Sequence, residues 1–277
     1  MEDSNFKKTE SYKHKSDFLI IGSGLAGLYA ALYASKFGEV TILTKSTIEQ
    51  SNTYWAQGGI AAAVDPEDSP VFHLEDTVKA GRGLCNKEAV EILVSEGRDR
   101  VFDLIKLGMK FDSGKKGFEL SLEGGHTKRR VLHSGGSSTG KEIVEFLITS
   151  VKKKPRIKVL ENTTVIDLIS DGKCCYGAIA FGESPMSKMF LLSRSTILAT
   201  GGAAGVYLKT TNPPGAVGQG ISLAFRSGAE ISDLEFVQFH PTALYTKNGL
   251  SFLITEAIRG EGAHLLNHSG ERFMGKY

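Results

Sequence analysis

Asp17-Phe18-Leu19-Ile20-Ile21-Gly22-Ser23-Gly24-Leu25-Ala26-Gly27 is the stretch on which the fold turns. Residues 17–21 form a short apolar run of the kind a buried parallel strand shows, and the run stops at the G-x-G-x-x-G of residues 22–27. From Leu25 onward, Leu28, Ala31, Leu32, Ala34 and Ser35 recur at helical spacing until Phe37-Gly38, where glycine can stop a helix. Glu39 to Leu43 then reads as the second strand. In such a βαβ unit the first glycine permits the tight turn and the second lets backbone approach a pyrophosphate. The third lets helix pack on strand. The helix N-terminus faces the phosphates. A glycine turn alone is weak evidence; its place between two strands makes it a dinucleotide fingerprint.

The residues after the second strand shift the chemistry. An acidic residue usually stands there to hold a ribose hydroxyl, and here the chain has Thr44 and Lys45. This argues against a plain NAD site, while a threonine hydroxyl can still bond a ribose and a lysine can meet a phosphate. Further along, Ser51 to Ile60 (SNTYWAQGGI) joins hydroxyls, amides and two glycines. That composition suits backbone N–H groups laid along a flat polar ring system, and it fits an ordinary loop equally well. Thr196 to Gly202 (TILATGG) is a buried-strand pattern ending in a second glycine turn.

Taken together, these segments resemble the succinate dehydrogenase, fumarate reductase and L-aspartate oxidase flavoprotein family. The resemblance continues through Glu123-Gly124-Gly125-His126, Arg129 to His133, Thr139-Gly140, Gln238 to Thr242 and Thr255 to Gly262, in family order. It implies an α/β fold: a Rossmann-like FAD-binding domain with an inserted α+β capping domain, incomplete at the C-terminus. The expected divisions are a disordered tail over 1–16, the FAD-binding domain over 17–235 and the start of the capping domain over 236–277. By the same resemblance the cofactor is FAD. It is held by Gly22, Ser23, Gly24, Leu25, Ala26 and Gly27, by Thr44 and Lys45, by Asn52, Thr53, Tyr54, Trp55, Ala56, Gln57, Gly58 and Gly59, by Thr164 and Val165, and by Thr200, Gly201, Gly202 and Gln219. Relatives that attach FAD covalently use a histidine where this chain has Asn52, so the implied flavin is non-covalent. Gln219 stands where the family usually carries aspartate.

The substrate reading rests on Glu123. It precedes Gly124-Gly125 where the dicarboxylate enzymes commonly carry an aromatic residue. A carboxylate there pairs with an ammonium group and repels a simple dicarboxylate, which selects L-aspartate over succinate. Without the family context it reads as a solvated loop residue. The resemblance also implies that His240 grips a substrate carboxylate, Thr255 supports it, Glu256 assists proton delivery and Gln238 lines the pocket. Taken alone, His240, which follows the apolar strand-like run Leu234 to Phe239, reads as a structural histidine, and Glu256, Arg259 and Glu261 as a helix-face charge network. The implied reaction is oxidation of L-aspartate to iminoaspartate, the first step of NAD synthesis via quinolinate. Oxygen or fumarate is the acceptor and quinolinate synthase a candidate receiver. The rivals are a soluble fumarate reductase or succinate oxidase, and a catalytically silent FAD-binding fragment. The family's acid/base arginine and later FAD-binding segment match nothing before Tyr277, so the chain reads as an N-terminal fragment.

Composition bounds the rest. Lys and Arg number 33 against 31 Asp and Glu, a formal charge of +2 that gives no global pull toward nucleic acid or an anionic membrane. The basic run Lys152 to Arg156 reads as a solvated helix end. Residues 1–16 are polar, and no apolar stretch reaches the roughly 20 residues of a membrane span. Cys85, Cys174 and Cys175 have no zinc or haem spacing and form no disulfide framework, which fits a reducing cytoplasm.

Overall fold

The apolar run at 17–21 is a strand, and it begins earlier than its hydrophobicity suggests. The computed structural model describes residues 12–115, 117–182, 188–240, 242–247, 251–255, 258 and 262–276. In chain order its main elements are β1 (Tyr12–Ile21), α1 (Leu25–Ala34), β2 (Val40–Leu43), β3 (Ile60–Ala61), α2 (Pro70–Ala80) and α3 (Lys87–Leu107). The short strands β4 (Ser113–Gly114), β5 (Gly117–Phe118), β6 (Leu120–Ser121) and β7 (Val131–Leu132) precede α4 (Thr139–Lys152). There follow β8 (Ile157–Leu160), β9 (Thr163–Ser170), β10 (Cys175–Gly182), β11 (Lys188–Leu198), α5 (Gln219–Arg226), β12 (Ala243–Tyr245) and β13 (Ser251–Leu253).

The contacts divide the chain into two units, residues 1–55 with 143–239 and residues 56–142 with 240–277. This differs from the expected division at 235/236. The first unit is interrupted after Trp55, because the strand that flanks β2, namely β8, is supplied only after residue 156.

The first unit is built on a six-stranded sheet in the order β8-β2-β1-β11-β10-β9. β8, β2, β1 and β11 run parallel, and β10 and β9 pair antiparallel beyond them. α1 connects the parallel neighbours β1 and β2, as a βαβ crossover requires. Leu19, Ile21, Leu43, Val165, Ala178, Ala180, Leu191 and Leu223 form a buried cluster. α4 buries Ile143, Val144, Leu147, Ile148 and Val151, a stripe at helical spacing. Its basic end, residues 152–156, is exposed, as expected of a solvated helix end.

Two expectations are corrected. Residues 12–16, expected in a disordered tail, are strand, with Tyr12 opposite Met189 and Ser16 opposite Ser193 on β11. They read as tail because the sequence is polar, and what orders them is backbone pairing with β11. Leu234 to Phe239 was expected to be strand-like and is irregular, with Leu234, Phe236 and Phe239 exposed. Among the described residues it pairs with no strand.

The second unit has a three-stranded antiparallel sheet, β3-β7-β6, the hairpins β4-β5 and β12-β13, and the helices α2 and α3. Ser69 caps α2 by accepting from Phe72 N at 3.4 Å, with Pro70 in the first turn. Asn86 caps α3 by accepting from Ala89 N, and Gly108 ends it in the left-handed region.

Candidate cofactor and substrate site

The three fingerprint glycines occupy three different environments. Gly22 has φ +117°, and a Cβ on it would lie 2.1 Å from the Ala199 carbonyl oxygen. A Cβ on Gly27 would lie 2.0 Å from Gly22 O, so helix and strand touch there at backbone distance. Gly24 is different: it caps α1 with φ −73° and ψ −177°, a conformation open to any residue, and a Cβ there would meet nothing nearer than Thr53 Oγ1 at 3.4 Å. Two glycines are thus required by the protein's own packing, and the middle one leaves space at a helix N-terminus. Gly24, as the cap residue, has no side chain to bond the α1 N-terminus, and the first turn of the helix holds no acidic residue. This is the cradle a pyrophosphate fits.

The surrounding residues are tied down by hydrogen bonds. Ser23 Oγ donates to Thr44 Oγ1 at 3.0 Å, and both residues are buried. Thr53, in the short 3-10 helix Thr53–Trp55, accepts from Leu25 N at 3.2 Å, which holds this segment over the start of α1. Tyr54 N donates to Ser51 Oγ, and Trp55 is exposed. Lys45 Nζ donates to Gly215 O at 2.8 Å, and Asn52 Nδ2 donates to Asn212 Oδ1 at 2.7 Å. The loop before α5 therefore gathers two of the expected cofactor residues. Gly202 O accepts from Gly218 N, and Thr200 sits against Gly220, where a Cβ would lie 1.8 Å from Thr200 Oγ1.

Gln219 Nε2 donates to Val165 O at 2.7 Å. The amide therefore fastens α5 to β9, and aspartate at this position would have no proton to donate there. Gln219→Ala is expected to lower the stability of the first unit by about 1 kcal/mol, the net worth of one such bond, read as a shift in the urea midpoint. Thr164 lies beside Val165 on β9, half-buried, and the Val165 side chain is buried.

In the second unit, Gln57, Asp112, Glu119, Leu120, Ser121, Arg129, His133, Gly136, Ser137 and Thr255 line a cavity of about 330 Å³. Asp112 accepts from Gly135 N and Gly136 N, each at 3.0 Å, and His133 Nε2 is 2.8 Å from Ser121 Oγ. Arg129 reaches Leu120 O at 3.4 Å. The cavity thus carries a guanidinium, two carboxylates and an imidazole, a set able to hold a small charged ligand. Of the expected site residues it brings together Gln57 and Thr255. Glu123 and His240 are not among its lining residues, Gln238 is an exposed residue of the first unit, and Glu256 lies outside the described residues. His240 Nδ1 is 2.8 Å from Thr242 O. That contact fixes the ring. Ala56 O accepts from Gly140 N; Gly59 packs on Leu132, and Gly58 has open space about it.

Sequence reasoning passed over a buried ion cluster in this unit. Arg130 is fully buried; its Nε and Nη2 bind the two oxygens of Asp68 at 2.9 and 3.0 Å, and its Nη1 binds Asp76 Oδ2 at 2.7 Å. Asp76 Oδ2 also accepts from Thr127 N and Oγ1. Burial pushes the Asp76 carboxyl up, but the bonds from Thr127 and Arg130 outweigh it and hold the group below the ordinary range. The signal available in sequence was faint, since Asp68 looks like a cap residue beside Ser69-Pro70 and Asp76 like a solvated helix position.

His73 completes this surrounding. Its ring lies 5.7 Å from that of His126, and its Nδ1 is buried without a partner. Burial lowers its pKa from the ordinary 6.5, helped by Arg130 and His126 and opposed by Asp68 and Asp76. Because the folded value is below the unfolded one, the unfolded chain binds more protons as pH falls through 6.5. Stability is therefore expected to decline from pH 7.5 toward pH 5.5, and His73→Phe to flatten that decline in urea titrations at each pH.

Residues 17–277 match the sequence profile of the FAD binding domain family. The chain is 44% identical over 268 residues to L-aspartate oxidase of Streptomyces coelicolor, covering 94% of this chain and 46% of that protein. It is 44% identical over 275 residues to the chloroplastic L-aspartate oxidase of Oryza sativa subsp. japonica, covering 94% and 42%. Among solved structures, an E. coli quinol fumarate reductase variant superposes with a TM-score of 0.89 at 30% identity, covering 96% of this chain and 46% of that one. The Mycobacterium smegmatis Sdh1 complex in the apo form gives 0.81 at 32%, covering 94% and 46%. The chain spans about half the length of the curated relatives it matches. With a glycine cradle that fits a pyrophosphate and a profile match from residue 17 to residue 277, the chain belongs to the FAD binding domain family, and its cofactor is FAD.

Proposed function

We propose that this chain is the flavin-binding portion of an L-aspartate oxidase, which converts L-aspartate to iminoaspartate at the start of NAD synthesis via quinolinate. The observation that carries the reading is the carboxylate of Glu123, set before the Gly124-Gly125 turn. The similarity to curated L-aspartate oxidases supports it. FAD, when bound, accepts the two electrons of the oxidation. Gly22, Gly24 and Gly27 with the α1 N-terminus would hold its pyrophosphate, and the 51–59 and 200–202 segments would hold the flavin ring. With Asn52 rather than histidine in that segment, the attachment is non-covalent.

In this reading Glu123 pairs with the substrate ammonium, while His240, with Thr255 beside it in role, takes a carboxylate. Gln238 and Glu256 complete the pocket, with Glu256 assisting proton transfer. A carboxylate anchor and an ammonium anchor together would fix the orientation of Cα, and this orientation is the protein's share of the catalysis. In this reading oxygen or fumarate would be the final electron acceptor, and a quinolinate synthase would receive the unstable imine. No described helix is long and apolar enough to cross a membrane. We place the reaction in the cytoplasm.

Anaerobic addition of L-aspartate to the FAD-loaded, full-length protein is expected to bleach the flavin absorbance. Glu123→Gln removes a charged hydrogen-bond partner worth about 1.5–3 kcal/mol, so KM for L-aspartate should rise roughly 10- to 150-fold. Bleaching by succinate and not by L-aspartate would replace this reading with that of a succinate oxidase or fumarate reductase. No bleaching by either would favour a silent FAD-binding protein.

A further inference from the structure

The turn that carries Glu123 is made of pliant parts. Gly125 has φ +86° with open space around its Cα, and the turn is closed by one hydrogen bond, from His126 N to Glu123 O at 3.2 Å. A glycine pair gives a side chain poor directional control unless something beside it is fixed. One residue beyond the turn, Thr127 gives both its N–H (2.9 Å) and its hydroxyl (3.0 Å) to the same oxygen, Oδ2 of Asp76 on α2. That oxygen also takes Arg130 Nη1 at 2.7 Å, and the opposite edge of Arg130 is locked by both oxygens of Asp68. His126 Nδ1 stands 3.3 Å from the same Nη1. Residues 126, 127 and 130 are thus all tied to one buried carboxylate–guanidinium cluster, and Asp76 is the atom-sharing centre of it.

We infer that Asp76 is a positioning residue for substrate recognition: through Thr127 it fixes the 123–127 turn and so aims the Glu123 carboxylate at the substrate's ammonium group. This rests on the role given to Glu123 above. Three donors converging on one oxygen specify its place closely. A binding carboxylate displaced by about 1 Å loses much of its advantage. Asp76 would therefore act on discrimination between ligands with and without an ammonium group, not on affinity for dicarboxylates in general.

The test uses the full-length FAD-loaded protein, kept anaerobic with the flavin already reduced so that neither ligand turns over, and isothermal titration with L-aspartate and succinate. Thr127→Val, which deletes one bond and keeps the shape, is expected to weaken L-aspartate about tenfold, with succinate changed less than about twofold. Thr127→Ser restores the wild-type ratio. Asp76→Asn shows the larger loss of the two. In a Glu123→Gln background both variants lose their effect on L-aspartate, because there is no carboxylate left to aim. Equal weakening of both ligands, or losses that simply add to that of Glu123→Gln, would overturn the inference and leave the reading of Glu123 standing. Failure of L-aspartate to bind the wild-type protein overturns both.

Discussion

Arg130→Met is expected to destabilise the second unit by about 3–5 kcal/mol, the cost of leaving buried carboxylates without their cation. Asp68 and Asp76 are 9% and 5% exposed, so neither can turn to water without moving its element. The bidentate arm to Asp68 and the single arm to Asp76 are lost together, and methionine fills much of the volume without donating a proton. Urea unfolding read by circular dichroism measures the loss. Replacing all three charged residues by apolar ones of similar size should recover most of it, since a buried pair contributes little net stability over a well-packed apolar substitute. A single variant no less stable than wild type would mean that the cluster is not closed to solvent.

Gly24→Ala and Gly27→Ala are expected to fail in different ways. Alanine at 24 adopts the native φ and ψ and meets no protein atom nearer than 3.4 Å, so the thermal midpoint should stay near that of wild type. The methyl enters the space left for the pyrophosphate instead. FAD affinity should fall about 100-fold or more, equivalent to roughly 3 kcal/mol. At 27 the added carbon would sit 2.0 Å from Gly22 O, and α1 must move off β1. Overpacking of this kind costs about 1–3 kcal/mol, so stability and binding decline together. Flavin fluorescence titration beside thermal unfolding separates the two cases. Unchanged FAD binding by Gly24→Ala would remove the pyrophosphate from this turn.

The βαβ opening was legible because strand, turn, helix and strand follow one another within about 30 residues, so hydrophobic period and glycine spacing report on the same local object. The strand over 12–16 was not. Tyr-Lys-His-Lys-Ser carries no apolar pattern, and what orders it is pairing with residues 189–193. The Arg130 cluster escaped for the same reason: its partners lie 62 and 54 residues away, and each aspartate has an innocent local explanation. Gln219 stood out in the sequence as a departure from the pattern the resemblance implies, but what it bonds did not. Its partner Val165 lies 54 residues away, beyond what spacing can report. The interruption of the first unit after Trp55 was hidden because the Ser51 to Ile60 stretch reads as one continuous glycine-rich segment.

The strand order also fixes a timetable. β1 lies between β2 and β11, and β11 ends at Leu198. During synthesis the first strand therefore leaves the ribosome long before its second neighbour exists, and residues 56–142 are made in the interval. The inserted unit can collect most of its contacts while the host sheet still has an open, apolar edge at Phe18 to Ile21. Closure of that edge waits on pairing between distant stretches of chain, which is slow and exposes the strand to aggregation. Nascent chains stalled before residue 188 should thus hold chaperones that chains released after residue 198 do not.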